Sequence, residues 1–279
     1  MIFGGENAES YYDEGLTASM KGDLELAIEC FEKALKLDRR LTSASHQLAK
    51  CVLRMGHVGR AVDILIRVVR EKPQLIPPRL DLGGALLALG RLEEAQRIFS
   101  EVLAAEPANA RALMGMGQVA FALGNWAGAM DFAKQSIANS GPSFPSLFLL
   151  GRAARLSGDA ALANSTLEEA AELIDKSLEG ASDQPESYFL RGEVKFALEN
   201  FSEALDYYRS ATDRAKPRQV YSAFGGNFTQ LDLLARQGLC HQRLWNKERA
   251  REIGEEILSK DPTHEVARSL IEPDEERAR

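Results

Sequence analysis

The sequence predicts an all-α chain built as a solenoid of about seven helix-turn-helix repeats. Three observations predict it. A pattern of small residues returns every 34 residues, which is the mark of a repeat array. A glycine divides most periods, and proline or glycine closes several of them, as expected where one helix must stop before the next begins. Alanine and leucine dominate while aromatics make up 7%, a composition that suits close-packed helices better than a β-sandwich.

The clearest period is Ile76 to Asn109, read as two helices with Gly90 at the turn. Leu82 and Gly83 lie in the first helix (helix A), Ala95 and Phe99 in the second (helix B), and Pro107 ends it. Counting the helix A glycine as position eight phases the rest. Repeat one, 8–41, has Tyr11, Gly15, Gly22, Ala27, Phe31 and Ala34. Repeat two, 42–75, has Leu48, Ala49, Gly56, Ala61, Leu65 and Pro73. Repeat three is 76–109, and repeat four, 110–143, carries Met116, Gly117, Gly124, Ala129 and Ala133. Repeat five, 144–177, has Leu147, Gly151, Gly158, Ala163 and Leu167. Repeat six, 185–218, has Tyr188, Gly192, Ala204 and Tyr208. Repeat seven, 231–264, has Leu234, Gly238, Ala250 and Ile257. Small residues at positions eight and twenty let the two helices approach, and larger ones at four, seven and twenty-four fill the space around that contact. No hairpin buries its apolar face alone, so stacking supplies the core.

This pattern, Leu-Gly in helix A, then Ala-x3-Phe and Pro in helix B, resembles the tetratricopeptide repeat. The resemblance covers residues 8–264 and implies a right-handed superhelix. Two departures interrupt the phase. Helix B of repeat five looks long, from Asp159 to about Leu178, before the linker 179–185. An insertion, 216–230, places Tyr221, Phe224 and Phe228 around Gly225-Gly226. It reads either as an ordered loop capping the gap between two repeats or as a partner-contacting loop. Residues 1–7 form an N-terminal segment, 265–272 a short solvating helix that caps the array, and 272–279 a charged, frayed tail.

The formal charge of −7 and a pI near 5.3 give no basic field for nucleic acid. Cys30, Cys51 and Cys240 are scattered, which argues against a disulfide framework or zinc site and fits a reducing compartment. The first residues show no signal-peptide pattern, and no stretch has 18 uninterrupted apolar residues, so a soluble cytoplasmic protein with no membrane span is the expectation. His46, His57, His241 and His264 form no metal-ligand spacing. The string Gly115 to Ala120 fits a dinucleotide fingerprint but falls inside helix A of repeat four, where no strand precedes it. Neither cofactor nor metal is expected, and nothing argues for catalysis.

In the family, helix A lines the concave surface at positions two, five, nine, twelve and thirteen. The resemblance therefore implies a partner-binding groove of His46, Lys50 and Arg54 in repeat two, and Leu80, Gly84 and Leu87 in repeat three. Repeat four adds Arg111, Met114, Gln118 and Phe121; repeat five adds Phe148, Arg152 and Arg155; repeat six adds Phe189, Glu193 and Phe196. Independently of the family, the trios 114/118/121, 148/152/155 and 189/193/196 each share one helical face. Such an apolar stripe either binds a partner or is further core produced by curvature. The full carboxylate clamp of some relatives is absent, because repeat one offers Tyr12 and Leu16 instead, and repeats two to four offer Lys50, Asp81 and Arg111 in the related places.

The function expected is a non-catalytic scaffold or adaptor that holds a peptide or helix of another protein, apolar with acidic groups. Two alternatives stand beside it: a self-associating subunit of a homo-oligomer, or a regulatory repeat subunit of a separately encoded enzyme. Residues 1–35 hold eight acidic and two basic residues, and 36–79 hold ten basic and three acidic. That asymmetry reads as head-to-tail self-association or as ordinary surface variation.

Overall fold

The computed structural model describes residues 7–177, 183–217, 219–223 and 226–271. Residues 1–6, most of the 179–185 linker, Phe224, Gly225 and the 272–279 tail lie outside the described residues. The chain forms two compact units, 1–141 and 142–279. The first contains α1 Ala8–Lys21, α2 Leu24–Leu37, α3 Thr42–Arg54, α4 Val58–Glu71, α5 Ile76–Ala88, α6 Leu92–Ala105, α7 Ala110–Ala122 and α8 Trp126–Ser140. The second contains α9 Phe144–Ser157, α10 Ala160–Ser177, α11 Pro185–Ala197, α12 Phe201–Arg214, β1 Tyr221–Ala223, β2 Gly226–Phe228, α13 Gln230–Arg243, α14 Lys247–Lys260 and α15 Glu265–Ile271. Each unit is a segment of α-solenoid in which every helix packs on the next.

Local chemistry starts and stops these helices. Side chains of Asn7, Asp23, Asn109, Asn125, Asn200 and Asn246 each accept a backbone N–H three residues on, satisfying a donor that the helix start leaves bare. Turns between the two helices of a repeat need a left-handed residue at position fifteen. Gly22, Gly56, Gly90, Gly124 and Gly158 supply it, while Glu199 and Trp245 take positive φ without being glycine.

Close approach explains the small residues. A Cβ at Gly83 would sit 2.6 Å from the Phe99 ring, and one at Gly115 would sit 2.3 Å from it. Phe99, buried in the first unit's core, is thus held between α5 and α7 by two residues that lack side chains. Gly15 serves Phe31 and Gly192 serves Tyr208 in the same way, at 2.7 and 2.6 Å.

Two elements differ from the sequence reading. The 216–230 insertion, read as a loop, contains an antiparallel β-hairpin, with Tyr221 paired to Phe228 and Ala223 to Gly226. The helix read as a short solvating cap, α15, buries Ala267 and Leu270 against α13 and α14. A Cβ at Gly238 would lie 2.4 Å from Leu270, so α15 packs as the first helix of a further repeat would.

Candidate functional site

In the first unit, one face of α3, α5 and α7 is joined by a ladder of polar contacts. His46 Nε2 lies 2.7 Å from Asp81 Oδ2, and the Arg111 guanidinium donates to Asp81 Oδ1 at 2.9 Å. His46 and Arg111, expected to face a partner, are therefore tied to each other through one carboxylate. Burial alone would raise the Asp81 carboxyl; hydrogen bonds from His46 and Arg111 outweigh it and hold Asp81 below the usual carboxylate value. Lys50 and Arg54 continue the α3 stripe one and two turns on, since each step of four residues returns to the same face. Both are exposed. Among the described residues Lys50 has no ion pair, and Arg54 donates to the Ser19 carbonyl at 3.3 Å. Gly84 on α5 is exposed, and a Cβ there would meet nothing within 4 Å. Across from it, α7 presents exposed Gln118 and half-buried Met114 and Phe121. The Phe121 ring meets Trp126 edge-on at 5.0 Å. This surface offers cations, an opening over a bare backbone, and partly covered apolar side chains.

Leu80 is corrected: it lies in the core at 6% exposure and does not line a groove. It stands three residues before Gly83, so it shares the packing face of α5. Leu87 is half-buried against the same core.

In the second unit the expected open stripe is largely occupied by the chain itself. Phe189 stacks on Phe228 at 4.2 Å, and Phe228 stacks on Tyr221 at 5.5 Å. The Tyr221 hydroxyl accepts the Lys216 N–H at 2.7 Å, which closes the base of the hairpin. Phe189 is therefore corrected to a ring covered by the hairpin. Glu193 is corrected too. It accepts the Tyr208 hydroxyl at 2.7 Å and pairs with Arg236 at 2.9 Å. Burial raises the Tyr208 pKa far above its ordinary value, with Glu193 adding to it. At Arg236 burial pulls the pKa down, and Glu193, Tyr208 and Asp232 together outweigh it. Phe196 packs edge-on against Phe201 at 5.2 Å.

Nearer the start of this unit, Phe148 stacks on Phe144 at 5.2 Å and lies under the Arg152 guanidinium, 5.4 Å from the ring centre. Arg152 reaches water although protein crowds it; that crowding pulls its pKa down, Glu193 opposes the shift and Arg236 adds to it. Arg155 donates to Asn164 at 2.6 Å and lies 4.0 Å from Glu199, so it is an internal tie.

The three cysteines are buried free thiols. Burial pushes Cys240 up to about 12, which keeps it protonated and unreactive. Among the described residues no group of His, Cys, Asp and Glu is arranged to hold a metal ion. No described helix is long and apolar enough to cross a membrane. Sequence reasoning missed Arg236, whose role as the partner of Glu193 depends on α11 and α13 meeting, a contact no single-helix stripe reveals.

The Asp81 ladder predicts a pH effect. A carboxyl whose folded pKa is depressed adds stability above its unfolded value, near pH 3.9, and loses it as pH falls through the folded value. Asp81→Asn is expected to cost about 1–3 kcal/mol at neutral pH. It should also flatten the fall in melting temperature below about pH 4. Parallel acid titrations of both proteins by circular dichroism check this.

Residues 8–41, 80–143 and 185–217 each match the family described as tetratricopeptide repeat. Over 120 residues, 40% of this chain, the sequence is 31% identical to the FK506-binding protein-like protein of Mus musculus; the match spans 35% of that protein's length. Among solved structures the fold is similar to a tetratricopeptide repeat protein from Parabacteroides merdae ATCC 43184. The TM-score is 0.65 at 16% identity, over 96% of this chain and 98% of that one. It is also similar to a chain of the APC/C hetero-tetramer Cut9-Hcn1, with a TM-score of 0.62 at 17% identity, over 92% of this chain and 47% of that one. At such identities the likeness shows the fold alone.

Proposed function

The chain belongs to the tetratricopeptide repeat family, and from that premise we propose a non-catalytic scaffold whose first unit holds a segment of another protein. The seat is the shared face of α3, α5 and α7. The observation that carries the reading is the pairing state of its charges. His46 and Arg111 each make a hydrogen bond to Asp81, which ties three helices together, while Lys50 beside them is exposed and has no ion pair among the described residues. An acidic side chain of a partner satisfies Lys50 and Arg54, and an apolar one reaches the space over Gly84 beside Met114 and Phe121. In the second unit, Arg152 over Phe148 offers a smaller contact of the same chemistry.

Selection of displayed peptides against the protein tests this directly. Recovered sequences should pair an acidic residue with an aromatic or aliphatic one. The double change Lys50→Glu and Arg54→Glu should weaken their binding at least ten-fold in a protein that stays folded, as circular dichroism reads it. Unchanged affinity in that variant rejects the placement.

A further inference from the structure

We infer that one edge of the first unit docks on an anionic phospholipid surface. Leu37 and Leu75 enter the headgroup layer, and the basic side chains around them pair with its phosphates. Positive charge collects at two neighbouring turns. Residues 36–41 and 70–79 carry Lys36, Arg39, Arg40, Arg70, Lys72 and Arg79 against only Asp38 and Glu71. The same junction one repeat later, 104–113, holds a single base and a single acid, Arg111 and Glu106. Topology sets the two basic turns side by side. They lead into α3 and α5, and the 2.7 Å contact of His46 with Asp81 joins those helices within two turns of their starts.

Little of this charge serves the fold. Lys36 and Arg70 lie in the last turns of α2 and α4, where a cation suits the helix dipole. Arg39, Arg40 and Lys72 stand in the turns and have no such reason. Among the described residues none of the six makes an ion pair, and all but the half-buried Arg79 are exposed. Asp38 Oδ1 accepts the Arg40 backbone N–H at 2.9 Å, so this carboxylate holds the turn and no guanidinium. Arg79 occupies position four of its repeat, where five other repeats have leucine or tyrosine, and its Nε is buried with no hydrogen-bond partner. Like charges held together without partners repel one another, and a negative surface laid over them relieves that repulsion.

Two features select a lipid surface among polyanions. Leu37 is 58% exposed and Leu75 is 40% exposed, and both lie inside the basic cluster. Apolar side chains ringed by cations suit the boundary between headgroups and acyl chains, whereas the phosphate backbone of a duplex gives them nothing to enter. Residues 36–79 also contain no Phe, Tyr or Trp, so nothing on this edge can stack on unpaired bases. That stretch holds ten basic and three acidic residues in a chain whose formal charge is −7. An anionic bilayer therefore attracts this edge and repels the remainder, which fixes the orientation. Lys50 and Arg54 lie two and three turns beyond the start of α3, so the edge is separate from the peptide face and does not rest on it.

Cosedimentation of the full chain with vesicles tests the proposal. Vesicles of phosphatidylcholine and phosphatidylserine should carry the protein down at low salt, and vesicles of phosphatidylcholine alone should not. Arg39→Gln with Arg40→Gln should weaken partitioning about ten-fold or more, because each cation near the surface contributes roughly five-fold. Leu37→Ser with Leu75→Ser should stay folded, as circular dichroism reads it, and should also bind more weakly. Lys50→Gln with Arg54→Gln removes the same charge from another part of α3 and should partition as wild type does. Wild type that ignores the anionic vesicles overturns the proposal. So do arginine or leucine variants that partition unchanged, and a Lys50 and Arg54 variant that loses as much as the arginine pair. Binding of polyglutamate or a DNA duplex without binding of vesicles assigns the edge to a soluble polyanion and overturns it as well.

Discussion

Leucine at Gly83 should destabilise the first unit by about 3 kcal/mol or more, while alanine at the adjacent Gly84 should stabilise it by up to about 1 kcal/mol. The two residues are neighbours on α5 and are exchanged for larger ones in both cases, yet the signs differ. At Gly83 even the first added carbon would overlap the Phe99 ring at 2.6 Å. Gly115 on α7 closes on the same ring, so nearly that a Cβ there would sit 2.3 Å from it, which leaves the ring little room to move. Overpacking ordinarily costs about 1–3 kcal/mol, and a ring pinned between two helices belongs at the top of that range. Gly84 faces open space, so alanine there adds no clash and removes backbone freedom from the unfolded chain. Urea unfolding of both variants reads the difference. Equal costs would mean that the helices are not seated on Phe99.

Phe228→Ala is expected to lose about 3–5 kcal/mol from the second unit, because it deletes a ring that is 2% exposed. The change also uncovers Phe189, which stacks on that ring at 4.2 Å, and removes the cross-strand partner of Tyr221. Phe228→Leu keeps much of the volume and should cost less than about 1.5 kcal/mol. An apolar dye should bind the alanine variant more strongly than the leucine one or wild type. A small loss on Phe228→Ala, with no new dye binding, would show that the hairpin is not what fills this face.

The helix pairs were legible because their causes are local and recur. Gly83, Gly115 and Gly192 each sit against a large ring, and Gly22, Gly56, Gly90 and Gly124 each take a left-handed turn. Residues under such constraints leave a periodic trace. The open face of the first unit was partly legible: Lys50, Arg54, Met114 and Gln118 share helical stripes. Asp81, the centre of the ladder, was legible only as a residue standing in a clamp-related place, because its role comes from three helices meeting. Leu80 was misread because position alone does not tell whether a leucine faces the neighbouring helix or the hollow. The second unit was read worst, since the insertion alters what the repeats present. Strands of three residues leave no alternating pattern long enough to read. The rings of Tyr221 and Phe228 then land on Phe189, which an unbroken repeat would leave open.

The most direct test is a backbone amide NMR titration of the full chain with an acidic, apolar peptide recovered by selection. Shifts confined to Lys50, Arg54, Gly84, Met114 and Gln118, with α4 and α6 silent, are the predicted result. Perturbations centred on the outer helices, or spread evenly along the chain, would contradict the claim that the shared face of α3, α5 and α7 receives the partner.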